Sequence, residues 1–177
     1  QFTGYNQRTP VVAALKDGGF VVSWVSEQQR RVTPVAGTNI SASATLNPSV
    51  DIYARTFLAN GTAETGEFLV NSNLMPCANP SVAAASDGGF MVAWSARDTL
   101  VYSNGWDACA RSFSAANAGG PVVILNSRLL GSQYAPRLSA VGLDYLAVWS
   151  SLGQDGSREG VVGRFVHNDG SATSEEF

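Results

Sequence analysis

Lysine and histidine are almost missing from this chain. Lys16 is the only lysine beside ten arginines, His167 the only histidine, and Cys77 and Cys109 the only cysteines. At a net charge of −3 there is no general attraction to a phosphate backbone or an anionic bilayer, so nucleic acid is not an expected partner. No apolar run approaches the roughly 18 residues that a membrane-crossing helix needs, and membrane insertion is not expected either. Gln1-Phe2-Thr3 lacks the charged and apolar regions of a signal peptide, so the chain reads as mature or excised. With one histidine, a Ser-His-Asp relay would depend on His167, and no G-x-S-x-G elbow is present. The cysteines are too far apart for a CxxC motif, and with one histidine too few for a zinc site. A Cys77–Cys109 disulfide is the expected state, with two buried thiols as the alternative.

What the chain does have is glycine, 18 residues of it, in a sequence that is 45% apolar and only 14% charged. That mixture fits many short strands joined by tight turns. Three segments fall into register: PVVAALKDGGFVVSW from Pro10 to Trp24, PSVAAASDGGFMVAW from Pro80 to Trp94, and PRLSAVGLDYLAVW from Pro136 to Trp149. The Pro-to-Trp spacing is 14, 14 and 13 residues. Each reads as a hairpin, turned by Asp17-Gly18-Gly19, Asp87-Gly88-Gly89 and Gly142-Leu143-Asp144, where glycine supplies the positive φ that a tight turn requires. A second hairpin follows in each copy, with strands at 50–57, 106–113 and 160–165 and turns at Asn60-Gly61, Asn117 to Gly119 and Asp169-Gly170.

The expected fold is therefore all-β: three four-stranded antiparallel, propeller-like blades at 1–72, 73–127 and 128–177, with a β-trefoil as the alternative. Small residues (Ala13, Ala14, Ala83, Ala84, Ser139, Ala140) suit a crowded inner strand, and the Phe and Trp of the next strand suit packing between sheets. The third repeat reaches Ser174 to Phe177, matching Thr65 to Phe68, but lacks the rest of its fourth strand. Residues 173–177 thus contribute to or mimic an incomplete outer strand, which Gln1-Phe2-Thr3 of the same or another copy would complete. Three sheets are fewer than the four to eight of an ordinary ring, so further blades or copies are expected.

The pattern P-x-V-A-x-L-x-D-G-G-F-V-V-x-W, then Y-A-x-R-F, then E-F-x-V-N, carried by Pro10 to Trp24, Tyr53 to Phe57 and Glu67 to Asn71, resembles repeats of large secreted and surface proteins of bacteria. The resemblance covers nearly the whole chain. It implies propeller-type scaffolds in extracellular adhesins, with no shared catalytic residues. The third copy departs most, with Gly163 standing where the first two have Arg55 and Arg111.

Binding groups are expected on the rim formed by the second-to-third-strand loops and the connections between repeats. The insertion from Val25 to Pro48 carries Arg30 and Arg31. The second repeat has Arg97, Asp98, Tyr102 and Trp106, and the third has Asp155 and Arg158. Arginine, aspartate and aromatic side chains together suit sugars or carboxylates. Asp155, Ser157 and Glu159 offer alternating oxygens for calcium, the one cofactor considered, and Asn39 and Asn60 head glycosylation sequons. His167 is expected in a surface turn. The resulting functional expectation is a non-catalytic, extracellular structural or adhesive module that binds itself or neighbouring repeats by strand addition. The rivals are a carbohydrate-binding module and part of a larger propeller enzyme.

Overall fold

The computed structural model describes residues 5–32, 45–101 and 103–177, and among them there is no helix. Repeat 1 forms β1 (Gln7–Ala14), β2 (Phe20–Val32), β3 (Thr45–Phe57) and β4 (Phe68–Leu69). Repeat 2 forms β5 (Cys77–Ala84), β6 (Phe90–Arg97), β7 (Trp106–Phe113) and β8 (Gly119–Ile124), and repeat 3 forms β9 (Gln133–Val141), β10 (Asp144–Leu152) and β11 (Glu159–Val166). The three antiparallel sheets, of four, four and three strands, follow chain order, and among the described residues no strand pairs with one from another repeat.

The third sheet has one strand fewer than expected. Its fourth position is occupied by a single residue: Phe177 and Gly163 exchange N–H···O bonds of 3.0 Å in both directions. This repeats the pairing of Phe68 with Ala54 in the first sheet. The N-terminal residues expected to complete this strand, Gln1-Phe2-Thr3, lie outside the described residues. The insertion from Val25 to Pro48 is also less loop-like than expected, because β2 and β3 stay paired as far as Val32 opposite Thr45. Extending the ladder satisfies backbone groups that a loop would leave to solvent.

The first-hairpin turns need both of their glycines. Gly18 and Gly88 sit at φ +86 and +96, where a side chain is strained. The following Gly19 and Gly89 donate to the Asp17 and Asp87 carboxylates at 3.0 and 2.9 Å, and a Cβ on them would stand 2.5 and 2.8 Å from the carbonyl oxygens of Phe57 and Phe113. A further repeated device is a bulge before each leading proline. Thr9, Asn79 and Ala135 adopt φ of 50, 52 and 52 directly before Pro10, Pro80 and Pro136, and each inner-strand ladder slips register there.

The repeats pack sheet face on sheet face. β5 lies against β1, β2 and β3, and β9 against β5, β6 and β7. Two apolar layers result. Val21, Val25, Ile52, Ala54 and Val70 of repeat 1 meet Phe90, Val92, Trp94 and Phe113 of repeat 2. Met91, Ala93, Ala108, Ala110 and Leu125 of repeat 2 meet Tyr145, Ala147, Trp149 and Val166 of repeat 3.

Candidate functional site

Three of the polar residues expected on the rim, Arg30, Asp98 and Asp155, are engaged in holding the chain together. Arg30 donates from Nη1 to Asp51 Oδ1 at 3.1 Å and to the Asn73 carbonyl at 2.6 Å, which ties β2 to the connection after β4. Asp98 accepts from the main-chain N–H groups of Leu100 and Val101 at 2.8 and 2.9 Å and from Asn104 Nδ2 at 2.9 Å. The Val101 and Leu100 N–H groups, in that order, hold its carboxyl below the usual carboxylate range. Asp155 accepts from Ser157 N at 2.9 Å and Arg158 is exposed, its carbonyl closing the turn to Gly153 N at 2.6 Å. Arg97, also exposed, sits opposite the half-buried Trp106 at the mouth of the β6–β7 pair. Tyr102 and the side chain of Arg31 lie outside the described residues. Arg97, Asp98 and Trp106 thus share the β6–β7 connection, whereas Arg30 lies on β2 and Asp155 and Arg158 on the β10–β11 connection, and a short carboxylate beside N–H donors caps a turn in preference to projecting from it.

Asp155, Ser157 and Glu159 likewise do not converge. Ser157 uses its N–H on Asp155, and Glu159 accepts a short hydrogen bond from the Tyr134 hydroxyl, which raises the Tyr134 pKa. Among the described residues no three His, Cys, Asp or Glu side chains are grouped to hold a metal. His167 follows β11 with its Nδ1 2.7 Å from Asp144 Oδ1, both side chains being exposed. Asn60 is exposed in its turn, with Oδ1 accepting from Thr62 N at 2.9 Å. Asn39 lies outside the described residues. The rim also exposes aliphatic side chains: Leu100, Leu130 and Leu129 stand 86, 60 and 46% accessible, in turn segments that no periodicity marks out.

The disulfide is corrected by the sheet. Cys77 and Cys109 are free, buried thiols. Cys77 on β5 faces Ala96 and Cys109 on β7 faces Trp94, so β6 runs between them. Two strand spacings amount to about 9.6 Å, before any offset along the strands, beyond the roughly 7 Å at which two Cα atoms are bridged without moving backbone. Burial pushes the Cys109 thiol up to about 12 and that of Cys77 upward as well. Thiolate is therefore scarce in the folded protein. The native chain is expected to resist a thiol reagent, both cysteines reacting after denaturation without added reductant. A gain in mass on reduction and alkylation that alkylation alone does not give would contradict this.

The ladders define a more coherent surface. Trp24, Trp94 and Trp149 lie opposite Tyr53, Cys109 and Val162, and two residues back along each second strand Val22, Val92 and Ala147 lie opposite Arg55, Arg111 and Arg164. The third arginine is therefore Arg164 and not missing. Gly163 faces Val148, the place held by Ala54 and Ala110 in the other sheets. Arg111 reaches across to a carbonyl, not to an opposite charge, donating from Nη1 to Val70 O of repeat 1 at 3.1 Å, and Arg164 does the same to Leu125 O of repeat 2 at 3.0 Å.

At each junction a buried tryptophan and a bridging arginine on one sheet meet small aliphatic residues on the next. Trp94 and Trp149 are 1 and 2% exposed. The same surface of repeat 1 has no sheet over it among the described residues: Val22, Trp24, Arg55 and Phe57 are half-buried and, with Gln7, Arg8, Pro10 and Glu67, line a hollow of about 350 Å³. At the far end, the opposite surface of repeat 3 leaves Val161, Phe177 and Phe165 at 78, 66 and 37% exposure. The two ends of the array are thus the two halves of the interface used twice inside it. No protein-family model matches this chain, and no curated protein matches it.

Proposed function

We propose that this chain is a non-catalytic structural or adhesive repeat module of an extracellular assembly, a run of propeller-like blades that works by stacking further sheets of its own kind on its two open ends. The observation that carries this reading is the equivalence of the open surfaces to the buried ones. Trp24 occupies the place of the buried Trp94 and Trp149, and Val161 that of Ile52 and Ala108, both 0% exposed. Exposed apolar surface of this kind favours association, since about 25 cal/mol is gained per Å² removed from water. Matching two different surfaces head to tail makes the contact heterologous, which builds either rings or filaments according to whether the rotation closes. The all-consecutive strand order of each sheet also favours stacked blades over a trefoil, whose barrel pairs strands of different repeats.

Sedimentation velocity tests this. The weight-average sedimentation coefficient is expected to rise with protein concentration, and Val161→Arg, at an exposed strand position, is expected to abolish the rise while leaving the far-UV spectrum unchanged. A chain that stays monomeric at every concentration, or a variant that associates as well as the parent, would contradict the reading.

A further inference from the structure

Resting on that reading, we infer that Arg55 is the recognition residue of the open repeat 1 surface, and that its partner is a complete four-stranded sheet of this same repeat, engaged through the main-chain carbonyl of the residue that follows that sheet's fourth strand. The inference comes from the two junctions already formed. In each, the arginine spans from its own sheet to its neighbour, and in the first it is also fixed within its own sheet. Arg111 donates from Nε to Gly120 O at 2.7 Å, its guanidinium lies 5.4 Å from the centre of the Phe113 ring, and Nη1 then reaches Val70 O. Arg164 makes the same reach to Leu125 O, with Val166 at the place of Phe113 and its own Nε buried without a partner among the described residues.

The two accepting carbonyls are equivalent. Val70 and Leu125 each precede the buried asparagine, Asn71 or Asn126, that closes its fourth strand. Each sends its own N–H back into its sheet, to Ile52 O at 2.8 Å and Ala108 O at 2.7 Å, so the carbonyl is turned to the neighbouring repeat. Arg55 repeats the first half of the arrangement. Its Nε donates to Thr65 O at 2.8 Å and its guanidinium lies 5.5 Å from the Phe57 ring centre. It is held as Arg111 is, beside Val22 and Trp24 in the hollow that a sheet fills at the other junctions.

A planar, always-charged donor suits this task. Its stem and ring contact fix its position before the partner arrives, and a carbonyl accepts without needing a counter-charge. The chemistry selects a strand that ends in the order aliphatic residue then asparagine. Glu67 and Arg8 line the same hollow and set its electrostatic surroundings.

The test adds one repeat ahead of residues 7–177. Residues 77–132 are placed directly before Gln7, a junction that copies the native passage from Ser132 to Gln133. Register is preserved, because Asn6 O accepts from Glu27 N at 3.0 Å where Ser132 O accepts from Leu152 N at 2.9 Å. In the extended protein, Arg55→Ala is expected to lower Tm by about 5 °C, as Arg111→Ala does in either protein, whereas in the original chain Arg55→Ala moves Tm by less than about 1 °C. Arg55→Lys in the extended protein is expected to recover only part of the loss.

If the added repeat raises Tm but Arg55→Ala stays silent there, the assembly reading survives and the role of Arg55 is overturned. An added repeat that gives no rise in Tm, or a chain that no longer unfolds cooperatively, overturns both. Equal losses from Arg55→Ala in the two proteins would mark a contact internal to repeat 1 and likewise remove the inference.

Discussion

Trp94→Ala is expected to lower the stability of the folded chain by about 3–5 kcal/mol, and Trp24→Ala by less than half as much. Both residues hold the same place in their sheets, opposite a β-strand neighbour on the third strand. Their surroundings differ. Trp94 is 1% exposed and lies in the layer between repeats 1 and 2, among Val25, Ile52, Val70 and Phe90. Removing its ring leaves a cavity in a layer whose backbones are held apart by two sheets and so collapse poorly. Trp24 is half-buried, stacked on Tyr53 with ring centres 6.5 Å apart, and water already reaches it.

Because repeat arrays owe much of their stability to junctions between neighbours, the Trp94 change is also expected to uncouple repeat 1 from the other two. Chemical denaturation followed by circular dichroism should then show a broader or divided transition in place of one. Equal losses from the two substitutions would mean that the repeat 1–repeat 2 layer contributes no more than the open surface does.

Asn126→Leu, nearly equal in size, is expected to cost about 3 kcal/mol, a fall in Tm of roughly 6–12 °C for a chain of this length. Asn126 is 3% exposed. Its Oδ1 accepts from Ala108 N at 2.8 Å, and its Nδ2 donates to Asp107 Oδ1 and to the Arg128 carbonyl, both at 2.8 Å. A leucine fills the space and meets none of these, leaving a strand N–H and a largely buried carboxylate without the partner. Asn71 makes the same three contacts, with Ile52 N, Asp51 Oδ1 and Asn73 O at 2.9, 2.8 and 3.0 Å, so Asn71→Leu should behave alike.

The loss also depends on pH in a defined direction. Burial raises the Asp107 pKa, and the Asn126 amide opposes that rise. Without the amide the folded-state pKa climbs further, which destabilises the ionised form specifically. A raised carboxyl disfavours folding above its unfolded pKa and ceases to do so as it is protonated. The deficit of Asn126→Leu relative to the parent is therefore largest at neutral pH and shrinks on acidification through the Asp107 titration. A deficit independent of pH would show that the Asp107 contact carries none of it.

The repeat, the all-strand character and the hairpin turns were legible along the chain. Aspartate followed by two glycines between apolar alternations has few conformations open to it, and the turn at Gly18 and Gly88 uses them as expected. The Arg–carbonyl bridges were not legible. Aligning the third copy by eye sets Gly163 beside Arg55, whereas the β10–β11 ladder places Arg164 there. In a sheet a shift of one residue reverses which face a side chain occupies, and hydrogen-bonded register settles it where drifted sequence does not.

The cysteines make the same point. Their positions, 32 residues apart, are compatible with pairing until β6 is seen to run between them. The rim residues Arg30, Asp98 and Asp155 have the chemistry of binding groups, but it is satisfied within the same turn for the two aspartates and across the β2–β3 ladder for Arg30.

The amino-acid order by itself therefore determined how many times the chain repeats and where it turns, because strand alternation and positive-φ turns are local demands. Only the tertiary structure decided which face of each sheet is covered, which arginine spans to which carbonyl and which surfaces stay open at the ends. Those outcomes depend on contacts between residues some forty positions apart, such as Arg111 with Val70, and a distance of that kind is fixed by how sheets stack.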